Sequence, residues 1–257
     1  MSEHETRQTS SGLARTDAVA AQLIAQAAPL MFSVAQSPEE REAVYRMRYS
    51  IVVEKGWAKP EDFPDGVERD AYDDTAVQIV AWDDDTLAAA TRLVPPVPGL
   101  PLPTEEAFGL KIESRTQMMD VGRTCVARAY RDAQHRVLAG LLGRTWIELR
   151  AGGCTEACGI VAPAVARMCR GMGFHVLILG ASRLVWGEER SPVLIRPVEP
   201  LHALTRRLRR SPAEPEGEAF PGKSGIRDVP GWASCGTVGL PCRTEPAWML
   251  PGFSTTG

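Results

Sequence analysis

The chain has 257 residues, 44% of them hydrophobic and 24% charged, which is enough to bury a sizeable core in one main domain with extensions. Its formal charge of −3 and pI near 5.9 give no global attraction to nucleic acid or to an anionic membrane, so either partner would need a local patch. The first twelve residues, MSEHETRQTSSG, are polar and acidic, and no apolar run is long enough to span a bilayer; neither a secretory leader nor a membrane span is expected, and the cytoplasm is the expected compartment.

In chain order, residues 1–30 read as an N-terminal extension, a polar tail leading into an alanine-rich stretch (AVAAQLIAQAAPLM) that suits a helix lying on the core. MFSVA follows as a strand. SPEE then supplies a helix start, with Ser37 as N-cap, Pro38 at the first helical position and Glu40 at the third. That helix continues through EREAVYRMRYSIVVEKG, with Val44, Met47, Ile51 and Val52 on its buried face. An acid-rich loop, VERDAYDD at 67–74, leads to VQIVAW and TLAAATRLVP, which read as a β-hairpin across the turn DDD. The stretch PPVPGLPLP is expected to be irregular.

MMDVGRTCVA reads as the next strand, and a helical pattern runs from about Asp132 to Arg150 with Val137, Leu138, Leu141, Leu142, Trp146 and Leu149 at helical spacing. TEACGIV is a strand, APAVARMCRG a short helix, and FHVLILG and SPVLIRPV are the last two strands. This order predicts an α/β (α+β) domain over residues 31–200, a mixed central sheet with helices on both faces. From 201 to 257 the composition turns Pro- and Gly-rich and reads as a C-terminal extension. The six cysteines contain no CxxC pair and the four histidines are scattered, so no metal site is expected; Cys125, Cys154, Cys158 and Cys169 read as core residues of a reducing compartment.

The layout can bring Arg48, Trp57, Glu68, Asp70, Asp73, Arg92, Asp120 and Arg123 to one end of the sheet. Charged groups buried there must pair, through bidentate arginine–carboxylate contacts, so a structural ion network is one reading of the set. In order and spacing, however, Arg48, Trp57, E-x-D-x-Y-D at 68–73, R-L-V-P at 92–95 and D-V-G-R at 120–123 resemble the acyl-homoserine-lactone synthases, the autoinducer synthases of bacterial quorum sensing. The resemblance covers roughly residues 31 to 198. The chain departs from the family pattern where Val52 stands for phenylalanine, Asp120 for glutamate and Gly122 for serine. RYSIVVEKGW, LPLP and VGRTCVARAYR also resemble a sister group, the N-acyl amino acid synthases.

The resemblance implies a GNAT-like acyltransferase fold, cleft between splayed central strands. It implies that Arg48, Glu68, Asp70, Asp73, Arg92, Asp120 and Arg123 order the amine side of the site, with Trp57 as an apolar wall. The reaction implied is attack of an α-amine on an acyl thioester, with Asp120 holding the proton relay and backbone N–H groups around Val121 to Val126 meeting the oxyanion. No resident cofactor is implied: S-adenosylmethionine would be a substrate, giving an acyl-homoserine lactone and methylthioadenosine. The alternatives are a free amino acid as acceptor, or a GNAT-fold binding module without turnover. Cys125 has no accompanying histidine and is expected to contact substrate rather than act as a nucleophile. The acyl chain would lie between the sheet and the second main helix, against Leu138, Leu142, Trp146 and Val161. A Gly-rich pyrophosphate loop is missing before that helix (RDAQHRVLAG), which favours an acyl-carrier-protein thioester as donor, with acyl-CoA as the alternative; Arg128, Arg131, Arg136, Arg144 and Arg150 would form either the docking surface for an acidic carrier or an ordinary solvated helix face.

Overall fold

The computed structural model describes residues 3–113, 115–171 and 174–197; the expected extension over 201–257, with Cys235 and Cys242, lies outside the described residues. The first main-domain elements form as local chemistry dictates. After β1 (Met31–Val34), the Ser37 hydroxyl accepts from the Glu40 N–H at 3.1 Å while the Glu40 carboxylate accepts from the Ser37 N–H at 3.2 Å, a reciprocal cap that starts α2 (Pro38–Glu54). The buried face of α2 carries Val44, Met47, Ile51 and Val52, and also the charged Arg48.

β2 (Val77–Asp83) and β3 (Thr86–Val94) pair as a hairpin, from Val77 opposite Leu93 to Asp83 opposite Thr86. β4 (Met118–Val126), β5 (Glu156–Val161), β6 (Phe174–Ile178), β7 (Arg183–Val185) and β8 (Glu188–Pro197) complete a sheet of order β1-β2-β3-β4-β5-β8-β6, with β7 added on β8. All pairings are antiparallel except that of β4 with β5, which the helical crossover α4 (Arg136–Ala151) makes possible. β4 and β5 pair only from Met118–Glu156 to Asp120–Cys158. Beyond that point β4 stays on β3 and β5 on β8, so the two parallel strands diverge and open a cleft in mid-sheet.

Helices cover both faces. Val44, Met47 and Ile51 of α2 pack on Val80, Ala90 and Cys125, while Val137, Leu141 and Leu149 of α4 pack on Ile79, Leu93 and Met119 on the opposite face. Side chains alternate between those faces along the strands except at two irregularities, one in β3 at Ala88–Ala89 and one in β4. Arg92 faces Gly122 but Ala90 faces Cys125, so three residues of β4 span two of β3, and Arg123 at this bulge has φ +53°. Without the extra residue Arg123 would share the α4 face with Val121; with it, the guanidinium turns to the α2 face.

Four features depart from the expectations. The polar N-terminal stretch is not a tail: α1 runs from Glu3 to Gln26 and packs along α4. The contact is close because α4 offers glycines; a Cβ on Gly143 would lie 2.6 Å from the Ala20 carbonyl oxygen. The proline-rich loop is irregular only until Leu102, after which Pro103 opens the short α3 (Pro103–Phe108). α4 begins at Arg136, not near Asp132, because the Asp132 carboxylate accepts from the Arg136 N–H at 3.1 Å and the chain between them turns through His135 at φ +54°. β7 was not expected at all, and β8 starts at Glu188, before the predicted strand at 191. Among the described residues no helix is long and apolar enough to cross a membrane.

Candidate active site

Six of the charged residues singled out in the sequence close into one ring. Arg48, from α2, donates to Glu68 and, through both terminal nitrogens, to Asp73 at 2.8 and 3.0 Å. Arg92, from β3, reaches Asp70 at 2.6 Å and Asp73 at 3.2 Å. Arg123, from the β4 bulge, reaches Glu68 at 3.0 Å and Asp70 at 3.0 Å. Each acid therefore bridges two arginines, and each arginine two acids. Positive and negative charges alternate around the ring and cancel.

The acid loop owes its shape to the same groups. Asp70 accepts from the Tyr72 N–H at 3.0 Å and Asp73 from the Asp70 N–H at 2.9 Å, which caps the 3-10 turn Ala71–Asp74 from both sides, while the Glu68 N–H donates to the Tyr45 carbonyl of α2 at 3.0 Å. Gln78, which no motif marks, donates to Asp73 at 2.8 Å. It stands opposite Arg92 in the β2–β3 ladder, so the spacing of the hairpin could have revealed it.

Burial makes the pairing obligatory. The side chains of Arg48, Glu68, Asp73 and Arg92 are no more than 3% exposed, whereas Asp70 and Arg123 are 32% and 28% exposed. Burial pushes the Asp73 carboxyl up, but the hydrogen bonds and charge of Arg48, aided by Arg92, outweigh it and hold it at about 2. Burial likewise opposes the charge on Arg48, and its two carboxylate partners more than offset this, raising its pKa. In Arg123 burial prevails and the pKa is lowered. The ring thus has a rigid buried side and an open edge formed by Asp70 and Arg123.

Asp120 lies beside the ring rather than in it. Its Oδ2 accepts from the Thr104 N–H at the start of α3 at 2.8 Å and from the Cys158 thiol at 3.5 Å, and burial raises its pKa. Its Oδ1 is 3.8 Å from where a Cβ would stand on Gly122, so the glycine leaves the space above that oxygen free of a side chain. Cys125 is on the α2 face with its sulfur 3.8 Å from that of Met47, and burial pushes its thiol to about 11. A thiol so placed is a poor nucleophile.

The remaining expected site residues are not brought to the ring. Val121, Leu142 and Trp146 are on the α4 face. Leu142 packs with Val19 and Leu23 of α1 and with Val161, and the Trp146 indole N–H donates to Asp17 of α1 at 2.7 Å. Of the expected acyl-lining positions, Leu142 and Trp146 therefore meet α1, whose packing could not be read from the sequence of either helix alone. The expected basic docking surface is largely neutralised: Arg131 pairs with Glu54, Arg136 with Asp132, Arg144 with Glu148 and Arg150 with Asp17. Among the described residues, no group of His, Cys, Asp and Glu is arranged to hold a metal ion.

Trp57 follows α2 and meets a segment that no motif announced. Arg190 of β8 lies with its guanidinium carbon 4.8 Å from the centre of the Trp57 ring, and Arg123 lies 5.2 Å from that of Trp186, in the β7–β8 turn.

Comparison with known proteins bears on this arrangement. Residues 47–141 match the family model described as an acetyltransferase (GNAT) domain, which takes in the second half of α2, the ring, the divergent strand and the start of α4. No curated protein matches the chain in sequence. Among solved structures, the CoA-dependent acyl-homoserine lactone synthase BjaI, in complex with SAM and isopentyl-CoA, matches at 22% identity and a TM-score of 0.54, over 66% of this chain and 81% of that one. TofI, in a ternary complex with an inhibitor and MTA, matches at 22% identity and a TM-score of 0.50, over 65% and 90%. The AHL synthase LasI matches at 13% identity and a TM-score of 0.52, over 65% and 89%. With β4 and β5 diverging at mid-sheet, helices on both faces and these likenesses, the chain has the GNAT fold.

Proposed function

We propose that the chain is an N-acyltransferase that moves an acyl group from a thioester to the α-amine of S-adenosylmethionine, forming an acyl-homoserine lactone and methylthioadenosine. The observation that carries this reading is the closed ring of alternating charge with one open edge, next to the divergence of β4 and β5. An α-amino acid headgroup complements that edge: the ammonium suits Asp70 and the carboxylate suits Arg123. The ring's buried side fixes both groups in place, so the headgroup is oriented without reorganisation of the site.

The ammonium must lose a proton before it attacks. Asp120 supplies the relay through a water on Oδ1, and its burial-raised pKa makes it a stronger base than an ordinary carboxylate. The amine nitrogen then bonds to the thioester carbonyl carbon, backbone N–H groups of the diverging β4 stabilise the oxyanion, and collapse expels the thiolate, which takes up the proton. In the second step the methionyl carboxylate oxygen attacks its own γ-carbon, and the carbon–sulfur bond breaks to release neutral methylthioadenosine. The donor is held by its pantetheine arm, as on an acyl carrier protein. An anionic diphosphate at the start of α4 would meet the Asp132 carboxylate already seated on the Arg136 N–H.

The test is product formation. The purified full-length chain, given a medium-chain acyl carrier protein, releases free thiol only when S-adenosylmethionine is added, with methylthioadenosine in equal amount. Thiol release with a plain amino acid and no methylthioadenosine replaces this reading with that of an N-acyl amino acid synthase. No thiol release with any amine leaves a binding module.

A further inference from the structure

The β7–β8 hairpin lies outside every motif read from the sequence, yet it reaches the site. β8 pairs with β5 up to Ser191 opposite Val161, so its first residues, paired with β7, overhang the end of β5 where β4 has turned away. The turn that joins β7 to β8 is Trp186–Gly187, with φ of +52° and +68°. Two positive φ values in a two-residue turn match the twist of a hairpin and favour Asn–Gly. A bulky residue in the first of those positions is an outlier, held only where its surroundings determine it.

Those surroundings are Arg123 of the ring on one side and Trp57 on the other. The Trp186 ring carries Arg123 at 5.2 Å, Arg190 covers Trp57 at 4.8 Å, and a Cβ on Gly187 would come within 3.4 Å of Trp57 Cδ1. The other end of the hairpin is tied down independently, since Arg183 donates to the Ala107 carbonyl at 3.1 Å and lies over Phe108 at 5.3 Å. The open edge of the ring therefore has the Trp186 indole set against its Arg123, and the same hairpin packs on the Trp57 indole that follows α2.

We propose that the β7–β8 turn is a wall of the acceptor site, and that Trp186 is a positioning and specificity residue that steadies Arg123 through its π face and presents its ring to the planar purine of the acceptor. This rests on the reading of S-adenosylmethionine as acceptor. With the ammonium and carboxylate assigned to Asp70 and Arg123, the group left for flat aromatic partners is a flat aromatic ring. A small aliphatic amino acid would leave the Trp186 ring with no substrate group to stack on.

The test uses the full-length chain and its Trp186→Gly and Trp186→Phe variants. Michaelis constants are measured separately for acceptor and thioester donor, with calorimetric binding of methylthioadenosine and thermal melting alongside. Trp186→Gly raises the acceptor constant and the methylthioadenosine Kd about tenfold, the loss of one stacking partner worth about 1.4 kcal/mol, and leaves the donor constant within about twofold. Trp186→Phe restores most of the loss. Glycine suits the turn, so Trp186→Gly melts at or above the wild-type temperature, which separates recognition from scaffolding. An active wild type whose Trp186→Gly variant keeps both acceptor values, or shifts both Michaelis constants equally, overturns the wall alone. A wild type that acylates a plain amino acid and binds no adenosyl compound overturns the acceptor reading, and the purine assignment with it.

Discussion

Replacing Asp73 with asparagine removes one charge from the ring and almost no volume. Arg48 and Arg92 each lose one of two carboxylates, and both stay buried at no more than 3% exposed side chain. Breaking a buried pair from one side costs about 3–5 kcal/mol, because the surviving charge is left uncompensated. For a domain of this size, each kcal/mol moves the melting temperature by roughly 2–4 °C, so the variant melts roughly 6–20 °C lower at neutral pH. The pH dependence gives an independent check with a definite sign. The folded-state pKa of Asp73, about 2, is below its ordinary value of 3.8, so its charge stabilises the fold fully above the unfolded pKa and the contribution is lost as pH falls through the folded one. The shift corresponds to about 2 kcal/mol, of which roughly half is gone by pH 3. Thermal melting of wild type and Asp73→Asn at pH 7, and urea unfolding of both from pH 7 to pH 3, each followed by tryptophan fluorescence, read the two effects. A melting difference under 2 °C, or a stability gap between the two proteins that does not narrow towards pH 3, would refute the ring as an energetic unit.

Asp70→Asn acts on the open edge, where water screens the loss, so its melting temperature falls by no more than about 3 °C while steady-state kinetics show kcat/KM at least about 100-fold lower. Gly143→Ala drives a methyl group towards the Ala20 carbonyl and costs about 1–3 kcal/mol in chemical denaturation, with α1 displaced along α4 in hydrogen exchange. Cys125→Ala keeps turnover within about threefold of wild type, and a rate loss of 1000-fold would revive a covalent route through that thiol.

What could be read from the sequence tracks what is local. The Ser37–Glu40 cap and the β2–β3 hairpin are each settled within a few residues, and each forms as expected. The positions whose side chains meet in the ring were legible for a related reason: a buried charge has few solutions, and the motif spacing supplies one. Tertiary contacts were not legible. The polar first half of α1 has no reason of its own to be a helix, and nothing in the α4 sequence alone says that Gly140 makes room for Phe32 and Gly143 for α1. Trp186 gave no turn signal because its backbone conformation runs against its type. The bulge that turns Arg123 to the α2 face is visible only once β3 and β4 are paired.

The ring also bears on the order of folding events. Its contacts join Arg48 to Glu68 and Asp73 across 20 and 25 positions, Arg92 to Asp70 across 22, and Arg123 to Glu68 and Asp70 across 55 and 53. No segment of the chain can assemble it alone, and a half-built ring leaves desolvated charges without partners. Its six side chains therefore stay hydrated until α2, the hairpin and β4 have docked, and they surrender their water last. Substitutions in the ring then accelerate unfolding and leave the refolding rate nearly unchanged, with φ-values close to zero, whereas truncations at Ile79 or Leu141 in the apolar core slow refolding as well. The site is a lock closed at the end of assembly, and the lifetime of the native state is set in part by how seldom it opens.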